Sequence, residues 1–153
     1  MVSSQVLQKT LDELKNITKV DLSILNLDGT TLVSTLTDEQ VDHGTVRQFV
    51  ESPADSQILQ ERYFFKVFDD SNVEYVLVSS GNMNDPYLIG RVAVSQIQNL
   101  IIAYKERLDK NNFIQNLLLD NLLLVDIYNR AKKLRIETNS RRIVFMVETA
   151  AEK

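Results

Sequence analysis

The start of the chain is predicted to be a helix followed by a β-hairpin. Between residues 4 and 18, leucine and isoleucine recur at every third or fourth position, which is the spacing of one buried helix face. Residues 20–24 then alternate between apolar and polar, as on a half-buried strand. Asp28-Gly29 favours a tight hairpin turn, because both positions tolerate a positive φ. Residues 31–36 are the expected return strand.

The middle of the chain is predicted to form one short helix and three strands. Val46, Phe49 and Val50 lie on one side of a helix over residues 45–51, and Pro53 stops that helix. Turn residues separate the segments that follow, and those segments are rich in β-branched and aromatic side chains. The three predicted strands are residues 58–68, 73–80 and 87–94.

A long helical stretch is predicted over residues 96–134, because no Pro or Gly interrupts it. Ser95 is its expected cap. A polar break at Asp109–Asn112 predicts a kink or a loop between two helices. After it, residues 141–148 have the composition of one more strand.

This order of elements predicts an α+β fold. One hairpin, a helical crossover and a three-strand meander give a five-stranded antiparallel sheet, with helices on one face and a long C-terminal helical extension. The order resembles that of PAS-like, GAF-like and other profilin-like sensor domains. The terminal helices of such domains often pair between subunits, so the resemblance implies a homodimer through the terminal helices.

Composition removes several classes of chemistry. The 153 residues include no cysteine and one histidine, His43, which excludes disulfides, thiolate catalysis and cysteine- or histidine-rich metal sites. No apolar run is long enough to span a membrane and no signal peptide is evident, so a cytoplasmic location without membrane contact is expected. Haem and flavin are not expected, and the sequence indicates no cofactor and no metal.

Charge is unevenly divided along the chain. The net charge is −4, and the first 95 residues carry 14 acidic and 7 basic side chains. An acidic front half argues against nucleic acid as its partner. Residues 130–142 hold six basic side chains and one acidic one, Glu137, but no helix-turn-helix pattern accompanies them. Specific DNA binding by this chain is therefore not expected.

The C-terminal part resembles a known family. Phe113–Leu119, Asp126-Ile127, Arg130–Leu134 and Arg141–Val147 are similar to the helical linker of sugar-diacid-regulator and PucR-like bacterial transcription factors. The family usually has Gly after its Arg-Ala-x-x-Leu element, where this chain has Arg135. The resemblance implies a sensory region over residues 1–108, a linker over 109–135, and the start of a truncated GGDEF-like domain over 136–153. It also implies a DNA-binding domain farther along, absent from this chain.

No catalytic constellation is visible, so the chain is not expected to be an enzyme. Ser79-Ser80-Gly81 is the nearest approach to a nucleophile site, and a strand end leading into a glycine turn explains it as well. The candidate ligand-binding residues are His43, Arg47, Tyr63, Ser79 and Arg91. A buried Arg91 would need a carboxylate partner from the protein or a ligand, whereas an outward Arg91 would be an ordinary solvated strand residue.

The function expected from these patterns is ligand sensing and dimerisation within a bacterial transcription regulator. The expected ligand is a small carboxylate, and the state of the domain would pass through residues 96–134 to the DNA-binding part. A dimerisation or scaffold module without a ligand is the alternative. An enclosed polar cavity would favour sensing, and a filled core would favour the scaffold.

Overall fold

The structure, a computed structural model, describes residues 2–37 and 41–148 and belongs to the α+β class. Five strands form one antiparallel sheet packed against helices, as the sequence predicts. By its internal contacts the chain divides into unit 1 (Met1–Lys105) and unit 2 (Glu106–Lys153). In chain order the elements are α1 (Ser4–Thr18), β1 (Asp21–Leu25), β2 (Thr31–Ser34), α2 (His43–Glu51), β3 (Ser56–Leu59), β4 (Arg62–Asp69), β5 (Asn72–Ser80), α3 (Pro86–Leu118) and α4 (Leu124–Lys133).

Helix α1 forms where its leucine spacing predicts. The Ser3 hydroxyl accepts a hydrogen bond from the Val6 amide at 3.4 Å and so caps the first turn. Lys19 ends the helix in the left-handed conformation, with a φ of 60°, and its amide donates to the Lys15 carbonyl. The buried face consists of Leu7, Thr10, Leu11 and Leu14.

The first hairpin is confirmed, but its turn differs from the expected one. The Gly29 amide donates to the Asn26 carbonyl at 3.0 Å, and of the Asp28-Gly29 pair only Gly29 has a positive φ, 93°. A turn followed by a left-handed glycine is a common hairpin loop. The Asp28 carboxylate accepts hydrogen bonds from the Thr30 amide and hydroxyl, at 2.9 and 2.7 Å, and these bonds hold the loop.

Residues 58–68, predicted as one strand, belong to two strands joined by a tight turn. Strands β3 and β4 pair up to Leu59↔Arg62, which leaves Gln60 and Glu61 as the two turn residues. Both have a positive φ, 52° and 61°, a conformation that usually selects Asn or Gly. Because neither residue type is present, the composition contains no signal for this turn.

The predicted strand at 87–94 is wrong, because these residues form the first turns of α3. The Asp85 carboxylate accepts hydrogen bonds from the Tyr87 and Leu88 amides, both at 3.1 Å, and so caps the helix. Pro86 takes the first helical position, where its missing N–H leaves no carbonyl unpaired. The expected cap, Ser95, lies inside the helix. One predicted strand is lost here, but residues 58–68 contribute to two strands instead of one. The number of strands in the sheet is therefore still five.

Helices cover both faces of the sheet, whereas the sequence analysis placed them on one face. The strand order is β2-β1-β5-β4-β3. Because successive strand side chains point to opposite faces, Phe65 contributes to one core and its neighbour Phe64 to another. The core beneath α1 and α3 includes Leu7, Leu11, Leu22, Leu77, Ala93 and Ile97. The core beneath α2 includes Leu25, Val46, Phe49, Phe64, Val76 and Val78.

In unit 2, helix α3 continues to Leu118 and α4 follows after a short turn. The break predicted at Asp109–Asn112 is wrong, because these residues lie within the continuous helix α3. Their polar side chains are exposed, and their backbone groups form helix hydrogen bonds as those of apolar residues would. The left-handed residue Asp120, with a φ of 55°, lies in the turn instead. At the far end of α4, Arg135 is also left-handed, with a φ of 56°.

The strand predicted at residues 141–148 does not form. These residues have neither helical nor strand structure, and the five apolar side chains from Ile143 to Val147 are 71–97 % exposed. The residues that complete the expected segment 136–153, from 149 onward, lie outside the described part of the chain.

Candidate functional site

The five candidate ligand-binding residues fall into two groups on opposite faces of the sheet. His43 and Arg47 are exposed residues of α2, which packs over the core that contains Phe64. Tyr63 and Ser79 are paired residues of β4 and β5 on the face covered by α3. Arg91 is an exposed residue of α3. No single pocket therefore brings all five together.

His43 packs against the first hairpin. Its Nδ1 atom lies 3.2 Å from the Asp28 carbonyl oxygen, and a Cβ added at Gly29 would come within 2.8 Å of the His43 Cα. Hydrogen bonds from Thr30 lower the pKa of the Asp28 carboxyl, and the nearby charges of His43 and Arg47 lower it further. These contacts fix where α2 begins against the hairpin.

The space between α2 and the sheet is filled by side chains. Val46 and Phe49 are 0 % and 1 % exposed, and the Phe49 ring packs edge-on against Phe64 with centroids 5.9 Å apart. The amino group of Lys66, itself buried, lies 5.4 Å from the Phe49 ring centroid and donates to the Ser52 carbonyl. Side chains of α2 and the sheet therefore pack this face of the sheet closely.

Ser79 and Tyr63 position the start of α3. Ser79 is fully buried, and its hydroxyl donates to the Pro86 carbonyl at 2.6 Å. The Tyr63 ring packs against Tyr87, with centroids 5.9 Å apart. A Cβ added at Gly90 would lie 2.3 Å from the Phe65 ring and 2.8 Å from the Ser79 hydroxyl. Only glycine lets the helix approach the sheet this closely.

The buried polar groups of unit 1 are satisfied within the chain. Among the described residues, no buried side-chain nitrogen or oxygen lacks a hydrogen-bond partner. A group that awaited a ligand inside the core would have been left unpaired. The buried polar residues are Thr10, Ser23, Lys66 and Ser79, and their partners are Val6, Ser34, Ser52 and Pro86.

Arg91, predicted to lie in mid-strand, instead lines a depression of about 280 Å³ between α3 and the edge of β4. Ser95 and Gln98 follow it at four and seven residues, so the three share one face of the helix. Asp55, from the segment before β3, lines the other side. Phe65, Lys66, Phe68 and Val94 complete the lining. We call this depression the Arg91 depression.

The polar side chains of the Arg91 depression are unpaired. Within the described residues, Asp55, Arg91, Ser95 and Gln98 form no side-chain hydrogen bond or ion pair. Lys66 contributes its stem alone, because its amino group is bound to Ser52. Sequence reasoning found Arg91 but missed the other three, since Ser95 and Gln98 align with it only once residues 87–98 are recognised as a helix.

Two of the depressions in the described part of unit 2 lie between α3 and α4. One, of about 430 Å³, is lined mainly by polar residues, among them Asp109, Asn112 and Arg130. The other, of about 510 Å³, is an apolar groove. Its apolar lining consists of Phe113, Ile114, Leu117, Leu124, Ile127, Tyr128, Ala131 and Ile136.

Comparison of the sequence with known protein families gives no match, and a comparison with curated proteins gives no significant match. In the described part of the chain, no three acidic or histidine side chains come together as metal ligands would. No helix of that part has the length and apolar character needed to cross a membrane. The class of protein defined here is an α+β protein with a five-stranded antiparallel sheet packed against helices.

Proposed function

We propose that this chain is the ligand-sensing and dimerisation region of a bacterial transcription regulator. One observation carries the proposal: α3 is a single helix of 33 residues that begins in unit 1 and ends in unit 2. Ala93 and Ile97 anchor its first part against the sheet at 0 % exposure. A change in packing against the sheet would therefore act directly on the helix that leads to the C-terminal part.

The element order supports the sensory assignment by resemblance. A helix, two strands, a helix, three strands and a long helix follow one another as in PAS-like and GAF-like domains. The linker resemblance gains support at Arg135, where the family usually has Gly. The Ile136 and Arg135 amides donate to the Ala131 and Lys132 carbonyls, and this helix ending requires a left-handed residue at position 135. Glycine adopts that conformation freely.

The apolar surface of unit 2 supports dimerisation. Leu124 and Tyr128 on α4 are 83 % and 61 % exposed, and they border the apolar groove. Two short helices with few buried side chains are not stable alone in water. A second copy of the chain would cover the same surface on both subunits, as a two-fold interface does.

Light scattering over a dilution series in the micromolar range tests dimerisation. We expect a dimer, and we expect Leu124→Asp and Tyr128→Asp to shift it toward the monomer. Ile58→Asp is the matched control, because Ile58 is a 63 % exposed apolar residue of unit 1. A wild-type chain that is monomeric throughout the series would overturn dimerisation. If Ile58→Asp weakened the dimer equally, the apolar groove of unit 2 would not be its specific interface.

The regulator assignment has a separate test. In the gene that encodes this chain, the reading frame beyond residue 153 should continue into a helix-turn-helix domain. A frame that continues into an unrelated enzyme would contradict the assignment.

A dimerisation module without a ligand is the second candidate. Its specific support is the filled core beneath α2 and the internal pairing of every buried polar group in the described residues. Calorimetric titration of the wild-type chain with a small carboxylate would decide between the sensing region and the module without a ligand.

A further inference from the structure

Two opposite charges in the Arg91 depression, those of Asp55 and Arg91, do not neutralise each other. Asp55 and Arg91 line the same space of about 280 Å³. Neither forms an ion pair within the described residues, so their charged groups lie beyond ion-pair distance from one another. Both side chains are exposed, so neither carries the cost of a buried charge.

A ligand that carries both charges would fit this arrangement. A carboxylate pairs with a guanidinium through two parallel hydrogen bonds, and an ammonium group pairs with a carboxylate. Ser95 and Gln98 each offer a donor and an acceptor beside Arg91. Phe65, Phe68 and Val94 supply an apolar wall on which a hydrocarbon side chain can lie.

Building on the sensing role proposed above, we propose that the Arg91 depression binds a free α-amino acid with an apolar side chain. Its carboxylate contacts Arg91, its ammonium contacts Asp55, and its side chain lies against the aromatic wall. The volume suits a small ligand, since drug-sized molecules occupy pockets of about 300–1,000 Å³.

Such a ligand would connect α3 to the segment before β3. The Asp55 carbonyl accepts a hydrogen bond from the Lys66 amide at 2.9 Å, so the backbone of Asp55 is fixed to the edge of β4. Arg91 lies on α3. A ligand bridging the two side chains favours one position of α3 on the sheet over others, which is the differential binding that a sensor needs.

Calorimetric titration of the full chain with L-leucine tests the proposal. Isocaproate, which is leucine without its amino group, and isoamylamine, which is leucine without its carboxylate, are the matched probes. We expect binding of leucine and at least about tenfold weaker binding of either analogue, because each loses one charge-assisted contact.

Two pairs of variants locate the site. Arg91→Gln and Asp55→Asn should each weaken leucine binding by about tenfold or more. Arg107→Gln, on the exposed part of the same helix, and Glu51→Gln, at the end of α2, should leave it unchanged. Circular dichroism of all four variants checks that they fold.

Two outcomes would overturn this inference and leave the proposed dimerisation intact. If isocaproate binds as tightly as leucine and Asp55→Asn has no effect, the ligand is a simple carboxylate and the amino-acid assignment is wrong. If none of the three probes binds while light scattering still gives a dimer, the depression is not an amino-acid site. A monomeric chain that binds leucine would instead contradict the proposed dimerisation alone.

Discussion

Units 1 and 2 contain similar apolar sequences but bury them to very different extents. In unit 1, side chains from α1, the sheet and α3 reach 0 % exposure, among them Leu11, Ile24 and Ile97. In the described part of unit 2, Phe113 and Ala131 are the only buried apolar residues. The stretch after Phe113 is rich in leucine, yet Leu118 and Leu123 are 64 % and 75 % exposed.

Apolar content does not by itself make a core. The five strands of unit 1 offer a surface on both faces, and helices cover each of them. In the part of unit 2 that the structure describes, the only helices or strands are the last part of α3 and the ten residues of α4. The proposed dimer would cover its remaining apolar surface, so its stability should depend on concentration whereas that of unit 1 should not.

The largest expected effect on stability is at a buried isoleucine of α3, and an exposed isoleucine on the same helix provides the comparison. Ile97→Ala empties a fully buried position on the side of α3 that packs against the sheet, and it should lower the free energy of unfolding by about 2–5 kcal/mol. Ile114→Ala removes a 40 % exposed side chain in unit 2 and should cost less than about 1 kcal/mol. Urea denaturation followed by circular dichroism measures both. Equal losses would mean that unit 2 has a core as well formed as that of unit 1.

A second test asks how closely α3 must approach the sheet. Gly90→Ala places a methyl group against the buried Phe65 ring and the Ser79 hydroxyl, and this overpacking should cost about 1–3 kcal/mol. Gly44→Ala in α2 is the matched control.

At Gly44 the added Cβ would meet only the Asp42 carboxylate, at 3.1 Å. Alanine also favours a helix over glycine, so this change should alter stability by no more than about 1 kcal/mol. Thermal unfolding of both variants gives the comparison. A Gly90→Ala protein as stable as wild type would show that α3 can move off the sheet without loss.

The elements that sequence reasoning located correctly are those with local signals. Helix α1 has regular leucines and a serine cap, and the first hairpin has Asp28-Gly29. Two of the strand errors, at residues 58–68 and 87–94, arose where such signals were absent or outweighed. Gln60-Glu61 adopts a glycine-like turn without glycine, and the cap at Asp85 was outweighed by the β-branched residues that follow it.

The candidate site followed the same rule. Arg91 could be chosen from the sequence as an unusual charge, but its surroundings depended on whether residues 87–94 form a strand or a helix. Asp55 lies 36 positions earlier in the sequence, and it lines the depression only because the fold brings it close to α3. No local pattern could have linked Asp55 to Arg91, because their place in one depression depends on the pairing of β3 with β4 and on α3 packing across the sheet.

A third prediction concerns the turn without glycine. Glu61→Gly replaces a residue held in the left-handed conformation with one that adopts it without steric strain. This change in unit 1 should raise the free energy of unfolding by about 0.5–1 kcal/mol. Glu61→Ala removes the same charge without relieving the backbone, so it should give no gain. Urea denaturation of the two variants separates these effects. An equal gain in both would trace the stabilisation to charge and not to the turn.

The smallest expected effect is the acid sensitivity of unit 1 at the start of α2. The Asp42 carboxylate accepts hydrogen bonds from the Thr45 amide and hydroxyl, both at 2.9 Å. These bonds lower the pKa of Asp42 below its ordinary value of 3.8. A carboxyl whose pKa is lower in the folded state stabilises the fold above its unfolded pKa. That contribution is lost as the pH falls through the folded pKa.

Asp42→Asn tests this dependence, because asparagine caps a helix about as well as aspartate but does not titrate. The variant should have nearly wild-type stability at neutral pH. It should also lose less stability than wild type as the pH falls below about 4, where the wild-type carboxylate takes up a proton. Glu51→Gln, which removes an exposed carboxylate at the other end of α2, should keep the wild-type pH dependence. Thermal melts across that pH range give the slopes. An unchanged acid slope in Asp42→Asn would mean that protonation of this cap does not contribute to acid unfolding, and that other carboxylates of unit 1 do.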